Sequence, residues 1–166
     1  MTGPPSNGLP FLRVAFTEVQ ECFSSLEIES WMPSEVGAIS PLVDQLMQLI
    51  QGSHCVTGDE PEVELALHEA LSNAVVHGNR MNPQKLVHIQ CHCESGKGVS
   101  ITITDLGEGF DPSSVPDPLF IESQRAEHGR GIHLMKLAMD EVSFEQGGTQ
   151  VRMRKGLRKQ KAADEF

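Results

Sequence analysis

Between Leu86 and Asp105 the chain alternates apolar and polar residues twice over. Val87, Ile89, Cys91 and Cys93 fall on one side, with His88, Gln90 and His92 on the other. After the turn Ser95-Gly96-Lys97-Gly98, Val99, Ile101 and Ile103 repeat the pattern. A period of two with a single apolar side specifies an antiparallel hairpin with one covered face and one wet face. Amphipathic helices are the natural cover. Leu42, Val43, Leu46, Met47 and Ile50 recur at helical spacing before Gly52. Leu67, Ala70, Leu71, Ala74 and Val75 do the same within Glu64–Asn79. Asp59 and Glu62 are the expected capping pair there, with Gly78 and Asn79 as the stop.

Pro41 fits either an N-terminal helix position capped by Ser40 or a kink in a helix begun at Ser34. A third helix spans Ile132–Asp140, with Ile132, Met135 and Met139 inward. A second hairpin joins Glu141–Glu145 to Thr149–Arg154 through Gly147-Gly148. Near the N-terminus, Leu12–Phe16 and Leu26–Ile28 read as short strands, and Trp31-Met32-Pro33 breaks the pattern. The expectation is α+β: a two-layer sandwich with helices on one face of a mixed, mainly antiparallel sheet.

At 166 residues the chain has room for one such domain with a real core. Residues 1–24 are expected to be an N-terminal extension, partly disordered because its first residues are rich in Pro, Gly and small polar groups. Residues 25–155 form the domain, and 156–166 a basic tail. The run Arg152, Arg154, Lys155, Arg158, Lys159 and Lys161 is read as the solvated face of the last strand continued into that tail. No stretch of about 18 apolar residues occurs, so no membrane contact is expected. Four scattered cysteines suit reduced thiols in a cytoplasmic protein. A net charge of −10 argues against direct nucleic-acid binding, which requires basic surface.

The chemistry concentrates in three places. Glu69, Asn73 and His77 stand four residues apart along one helix stripe: an acid, an amide and an imidazole. Glu69 can serve as a base, and the Asn73 carbonyl can hold a hard cation such as Mg²⁺. A plain solvated helix face would look the same. Asp105 extends the inward row of Val99, Ile101 and Ile103, and a buried carboxylate needs a partner. An amino group on a nucleobase would satisfy it, and Gly107 and Gly109 let backbone approach a flat ligand closely; a strand-terminal Asx turn is the simpler account. Gly129 and Gly131 lead into the third helix, where free N–H groups and the helix dipole favour anions. Thr149 shares the inward face with Val151 and Met153, so its hydroxyl also needs a partner.

The order E-x-x-x-N on a helix, D-x-G-x-G after a strand, G-x-G at a helix start and G-T in a hairpin resembles the Bergerat-fold (GHKL) ATP-binding superfamily. EALSNAVVHG and DLGEGFDP carry the likeness most specifically, and the chain looks most like the bacterial anti-sigma-factor serine/threonine kinases. That resemblance implies Mg-ATP as the nucleotide, Glu69 as general base and Asn73 as the Mg²⁺ ligand. It implies Asp105 as reader of the adenine amino group, Gly107 and Gly109 against the base, and Gly129 and Gly131 against the phosphates. Thr149 is then the hydroxyl near adenine, and Asp111 to His128 the lid. Its partners would be an anti-anti-sigma factor as phosphorylation substrate, a sigma factor, and a second copy in a homodimer. An ATP-binding regulatory module with little transfer activity, and a histidine-kinase catalytic domain, remain as alternatives.

Zinc and soft-metal readings fail on the residues themselves. His68-Glu69 begins like a zinc-protease helix, but Ser72 stands where the second histidine belongs. Cys91-His92-Cys93 sends neighbouring side chains to opposite faces of a strand.

Overall fold

One six-stranded sheet carries the helices on a single face. The computed structural model describes residues 11–19, 22–115 and 127–156, and every structural statement here concerns these. Strands β1 (Phe11–Val19), β2 (Cys22–Pro33), β3 (Leu86–Glu94), β4 (Gly98–Thr104), β5 (Glu141–Glu145) and β6 (Gln150–Lys155) lie in the order β1-β2-β3-β4-β6-β5. Every described pairing is antiparallel, so the expected two-layer α+β arrangement is present with a purely antiparallel sheet. The alternation in β3 and β4 sorts as read: Val87, Ile89, Cys91, Cys93, Val99, Ile101 and Ile103 are buried, while Gln90 and His92 are exposed.

Helices α1 (Ile39–Ser53), α2 (Glu60–Ser72) and α3 (Glu127–Ala138) close the apolar face. Leu46 and Ile50 of α1, Leu67 and Leu71 of α2, and Met135 of α3 join the strand residues in one core cluster. Pro41 is the third residue of α1, where no intrahelical N–H is required, and a 3₁₀ turn (Val36–Ala38) precedes it. The helix therefore starts at neither of the two expected points.

Several local expectations change. The strand β2 runs straight through Trp31-Met32-Pro33 instead of breaking there. Met32 is fully buried, Trp31 stacks on His88 with ring centroids 4.7 Å apart, and Pro33 falls at the strand's last position, where a missing N–H costs least. Residues 11–19, within the stretch read as an extension, form the edge strand β1. The second helix starts at Glu60 with Asp59 at the expected N-cap position, but Asp59 makes no side-chain cap. Past Ser72 it widens into a π-helical segment, Asn73–Gly78. The third helix begins at Glu127, so Gly129 and Gly131 lie inside it, not ahead of it. Most of the expected lid (residues 116–126), the first ten residues and the tail beyond residue 156 lie outside the described residues.

Leu71 carries α2 against the sheet and is 0% exposed. Leu71→Ala is expected to lower unfolding free energy by about 2–5 kcal/mol, read from urea denaturation followed by the fluorescence of Trp31. A loss under about 1 kcal/mol would mean that the helix is not seated as described.

Candidate functional site

Where α2 and its π segment pass the end of β4, the two elements come so close that side chains are excluded. A Cβ at Gly78 would fall inside the Asp105 carboxyl group, 2.5 Å from Oδ2. A Cβ at Gly107 would strike the Gly78 carbonyl and lie 2.8 Å from Asp105 Oδ1. The carboxylate thus occupies space that a side chain on either neighbour would take. Asp105 holds its own place through two bonds. Its N–H donates to the Thr149 carbonyl (2.9 Å), and its Oδ1 accepts from the Gly107 N–H (2.7 Å).

Burial pushes the Asp105 pKa up, opposed by the Gly107 hydrogen bond and by the charge of Lys85. The carboxylate is half-buried.

Asp105 and Gly78 line a cleft of about 550 Å³, part of it open to solvent. Ala70, Asn73, Ala74 and His77 contribute from the helix, Ile103 and Val151 from the sheet floor, and Met135 from α3. Phe110 and Phe144 meet edge to face at 5.2 Å and form an aromatic wall. Against Phe110, Gly109 and Gly148 adopt φ of +73° and +89°, conformations that suit glycine. Phe110 N–H donates to the Gly147 carbonyl (3.0 Å), tying the loop after β4 to the β5–β6 turn. Thr149 lies in that turn, and its hydroxyl is satisfied locally by the Gln146 carbonyl at 3.0 Å.

Glu69 and Asn73 remain one turn apart and meet α3 at Gly131. A Cβ there would lie 2.7 Å from Glu69 Oε2 and 3.4 Å from Asn73 Oδ1. Gly131 is buried for this reason: the helices approach over the carboxylate and the amide. Asn73 Nδ2 is buried without a hydrogen-bond partner among the described residues. Gly129 is buried in the first turn of α3, while Arg130 faces solvent.

The structure therefore brings Asp105, Gly109, Thr149 and Asn73 to one cleft, with Gly107 behind Asp105, and places Glu69 with Gly131 beside Asn73. Gly78 and Asn79, read from sequence only as a helix stop, belong to the site. A signal existed: Ala70, Ala74 and Gly78 make a row of small residues next to the Glu69–Asn73–His77 row. Phe110 and Phe144 carried no such signal, because their meeting depends on two distant loops.

The molecule is thus an α+β domain with a glycine-lined cleft that holds a half-buried acid at the end of a central strand. The sequence profile of the histidine kinase-like ATPase domain matches residues 32–155, and the chain belongs to that family, within the GHKL superfamily. Its curated relatives include the anti-sigma F factor of Bacillus cytotoxicus, 36% identical over 101 residues that cover 58% of this chain and 68% of the relative. The anti-sigma F factor of Heyndrickxia coagulans is 31% identical over 128 residues, covering 74% and 77%. That of Oceanobacillus iheyensis is 27% identical over 157 residues, covering 90% and 94%. No described helix is long and apolar enough to cross a membrane.

Because the folded pKa of Asp105 stands above the ordinary value of 3.8, protonation favours the folded state. That contribution is complete below the ordinary range and disappears as pH rises through the raised folded value. Asp105→Asn, which is never charged, is therefore expected to be at least as stable as wild type at pH 7. The mutant's advantage should shrink as pH falls toward 3.8. Thermal unfolding of the ligand-free proteins across this range checks it. A mutant that loses stability at pH 7 contradicts the assignment.

Proposed function

We propose that the chain is an anti-sigma regulator and a serine/threonine protein kinase that uses Mg-ATP to phosphorylate an anti-anti-sigma partner and holds a sigma factor. One observation carries the reading. Glu69 and the unpartnered amide of Asn73 stand together beside a cleft whose other wall holds the half-buried acid Asp105. A pure nucleotide binder has no use for a carboxylate at the position of Glu69. The relatives' name, anti-sigma F factor, supports the sigma-factor partner.

Each residue has a role that its surroundings support. Asp105 accepts a hydrogen bond from the adenine amino group, which supplies the donor that its burial calls for. Gly78, Gly107 and Gly109 keep that end of the cleft narrow enough for a planar base. Gly129 lies in the first turn of α3, where N–H groups have no intrahelical acceptor and suit phosphate oxygens. Gly131 keeps the helix backbone close to Glu69. The Asn73 amide oxygen is a hard donor of the kind Mg²⁺ takes, while its buried amide nitrogen calls for an acceptor such as a phosphate oxygen. When bound, Mg²⁺ neutralises phosphate charge as the phosphoryl group moves. Glu69 accepts the proton from the serine or threonine hydroxyl of the partner protein as that oxygen attacks the γ-phosphorus, and the bond from phosphorus to the bridging oxygen breaks to release ADP. The homodimer is part of the proposal and is checked by sedimentation.

Glu69→Gln keeps the size of the side chain and removes the base. Phosphoryl transfer to the anti-anti-sigma protein is expected to fall by about 10²- to 10⁴-fold, with ATP affinity unchanged by titration calorimetry. In parallel, Asp105→Asn should weaken ATP by about 1.5–3 kcal/mol. Transfer that persists in Glu69→Gln removes the base assignment. Wild-type ATP binding without any transfer to the partner leaves a binding module in its place.

A further inference from the structure

The residue after Gly78 has no assigned role, yet it is the most heavily bonded polar side chain near the cleft. Asn79 is 1% exposed, and its side chain reaches three separate segments. Its Oδ1 accepts from the N–H of Leu106 (2.8 Å), the residue that follows Asp105. Its Nδ2 donates to Ser34 Oγ (2.8 Å) and to the Leu86 carbonyl (3.3 Å). Ser34 Oγ in turn donates to the Lys85 carbonyl (2.7 Å), and Lys85 Nζ returns to the Leu106 carbonyl (3.1 Å). The end of β2, the start of β3 and the turn after β4 therefore meet at one amide. Its own backbone N–H closes the π segment on the Ala74 carbonyl (2.8 Å).

We infer that Asn79 is the positioning residue for the base-reading acid, and that it sets the preference of the cleft for a base carrying an amino group. The inference rests on the adenine-site reading of Asp105. The physical argument is local. Asp105 is anchored on its N-terminal side by the β-ladder bond to Thr149. On its C-terminal side, the Leu106 N–H has Asn79 as its acceptor. Asn79 directly follows Gly78, whose lack of a side chain leaves room for the carboxylate. One side chain thus holds the peptide that follows the acid. Losing the Oδ1 acceptor leaves a partly buried N–H unpaired, and the turn can rotate to find another partner. The carboxylate rotates with it. A hydrogen bond to a charged group depends steeply on direction, so the amino-group preference should fall before the cleft loses its general affinity for nucleotide.

The test compares ATP with inosine triphosphate, which carries a carbonyl in place of the amino group. Titration calorimetry is run on wild type, Asn79→Ala and Asn79→Asp; the aspartate keeps an acceptor for Leu106. Wild type should prefer ATP by about tenfold or more, as for one hydrogen bond to a charged acceptor. In Asn79→Ala the preference should fall at least about fivefold while inosine triphosphate binds within about twofold of wild type. Asn79→Asp should restore most of the preference even if it unfolds more easily. A residue that merely supports the fold would change both ligands together.

An Asn79→Ala protein that keeps the wild-type preference, or loses both nucleotides equally, overturns the inference. A wild type with no preference for ATP overturns the adenine-site reading and the inference with it. If the variants do not fold, hydrogen exchange on the free wild type decides. A Leu106 amide protected like those of β3 supports the bond to Asn79, and one that exchanges freely overturns it.

Discussion

A carboxylate half withdrawn from water, wedged where a helix passes the end of a strand, is the constraint around which this molecule is arranged. Among the described residues Asp105 has no cationic partner in contact; a backbone N–H and the more distant charge of Lys85 offset its burial only in part. A further donor from outside would favour its charged form. The elements around it are consistent with leaving that place open. Gly78 and Gly107 remove the side chains that would fill it, and Gly109 and Gly148 bend two loops around its far side.

The sheet makes this arrangement rigid. Val99, Ile101 and Ile103 seat β4 in the core, so the residue two beyond Ile103 is aimed with little freedom. On the other side of the cleft, α2 is held by Ala66, Leu67, Ala70 and Leu71, all buried. The π segment that follows matters for aim. By taking more residues per turn than an α-helix, it brings His77 and Gly78 to the cleft and lets the chain leave toward β3 through the positive-φ residues Arg80 and Met81. Wide turns of this type inside helices are often found at functional sites.

The buried cysteines are bystanders to this chemistry. Cys55 and Cys93 share a hydrogen bond in the core, and burial helps to raise both thiol pKa values, that of Cys93 to about 12. They are protonated and shielded from water at neutral pH, and so behave as small apolar residues. This agrees with the strand alternation, which sends His92 to the opposite face from Cys91 and Cys93.

What could be read from the amino acids alone was whatever depends on local period and residue chemistry. The alternation from Val87 to Asp105 determined a hairpin with a buried side and aimed Asp105. The stripe of Glu69 and Asn73 was visible because i and i+4 share a helix face, and the glycine pairs marked close backbone approaches. The tertiary structure alone decided which of those glycines meet what. Gly131 faces Glu69 across two helices, and Gly78 faces Asp105 across a helix and a strand; no local pattern encodes distances between segments so far apart in sequence. It also decided that β2 continues through Pro33, because the burial of Met32 and the stacking of Trp31 on His88 outweigh a weak local preference. The hub at Asn79 belongs to the same class. An asparagine after a glycine reads as a turn until three other segments arrive around its amide.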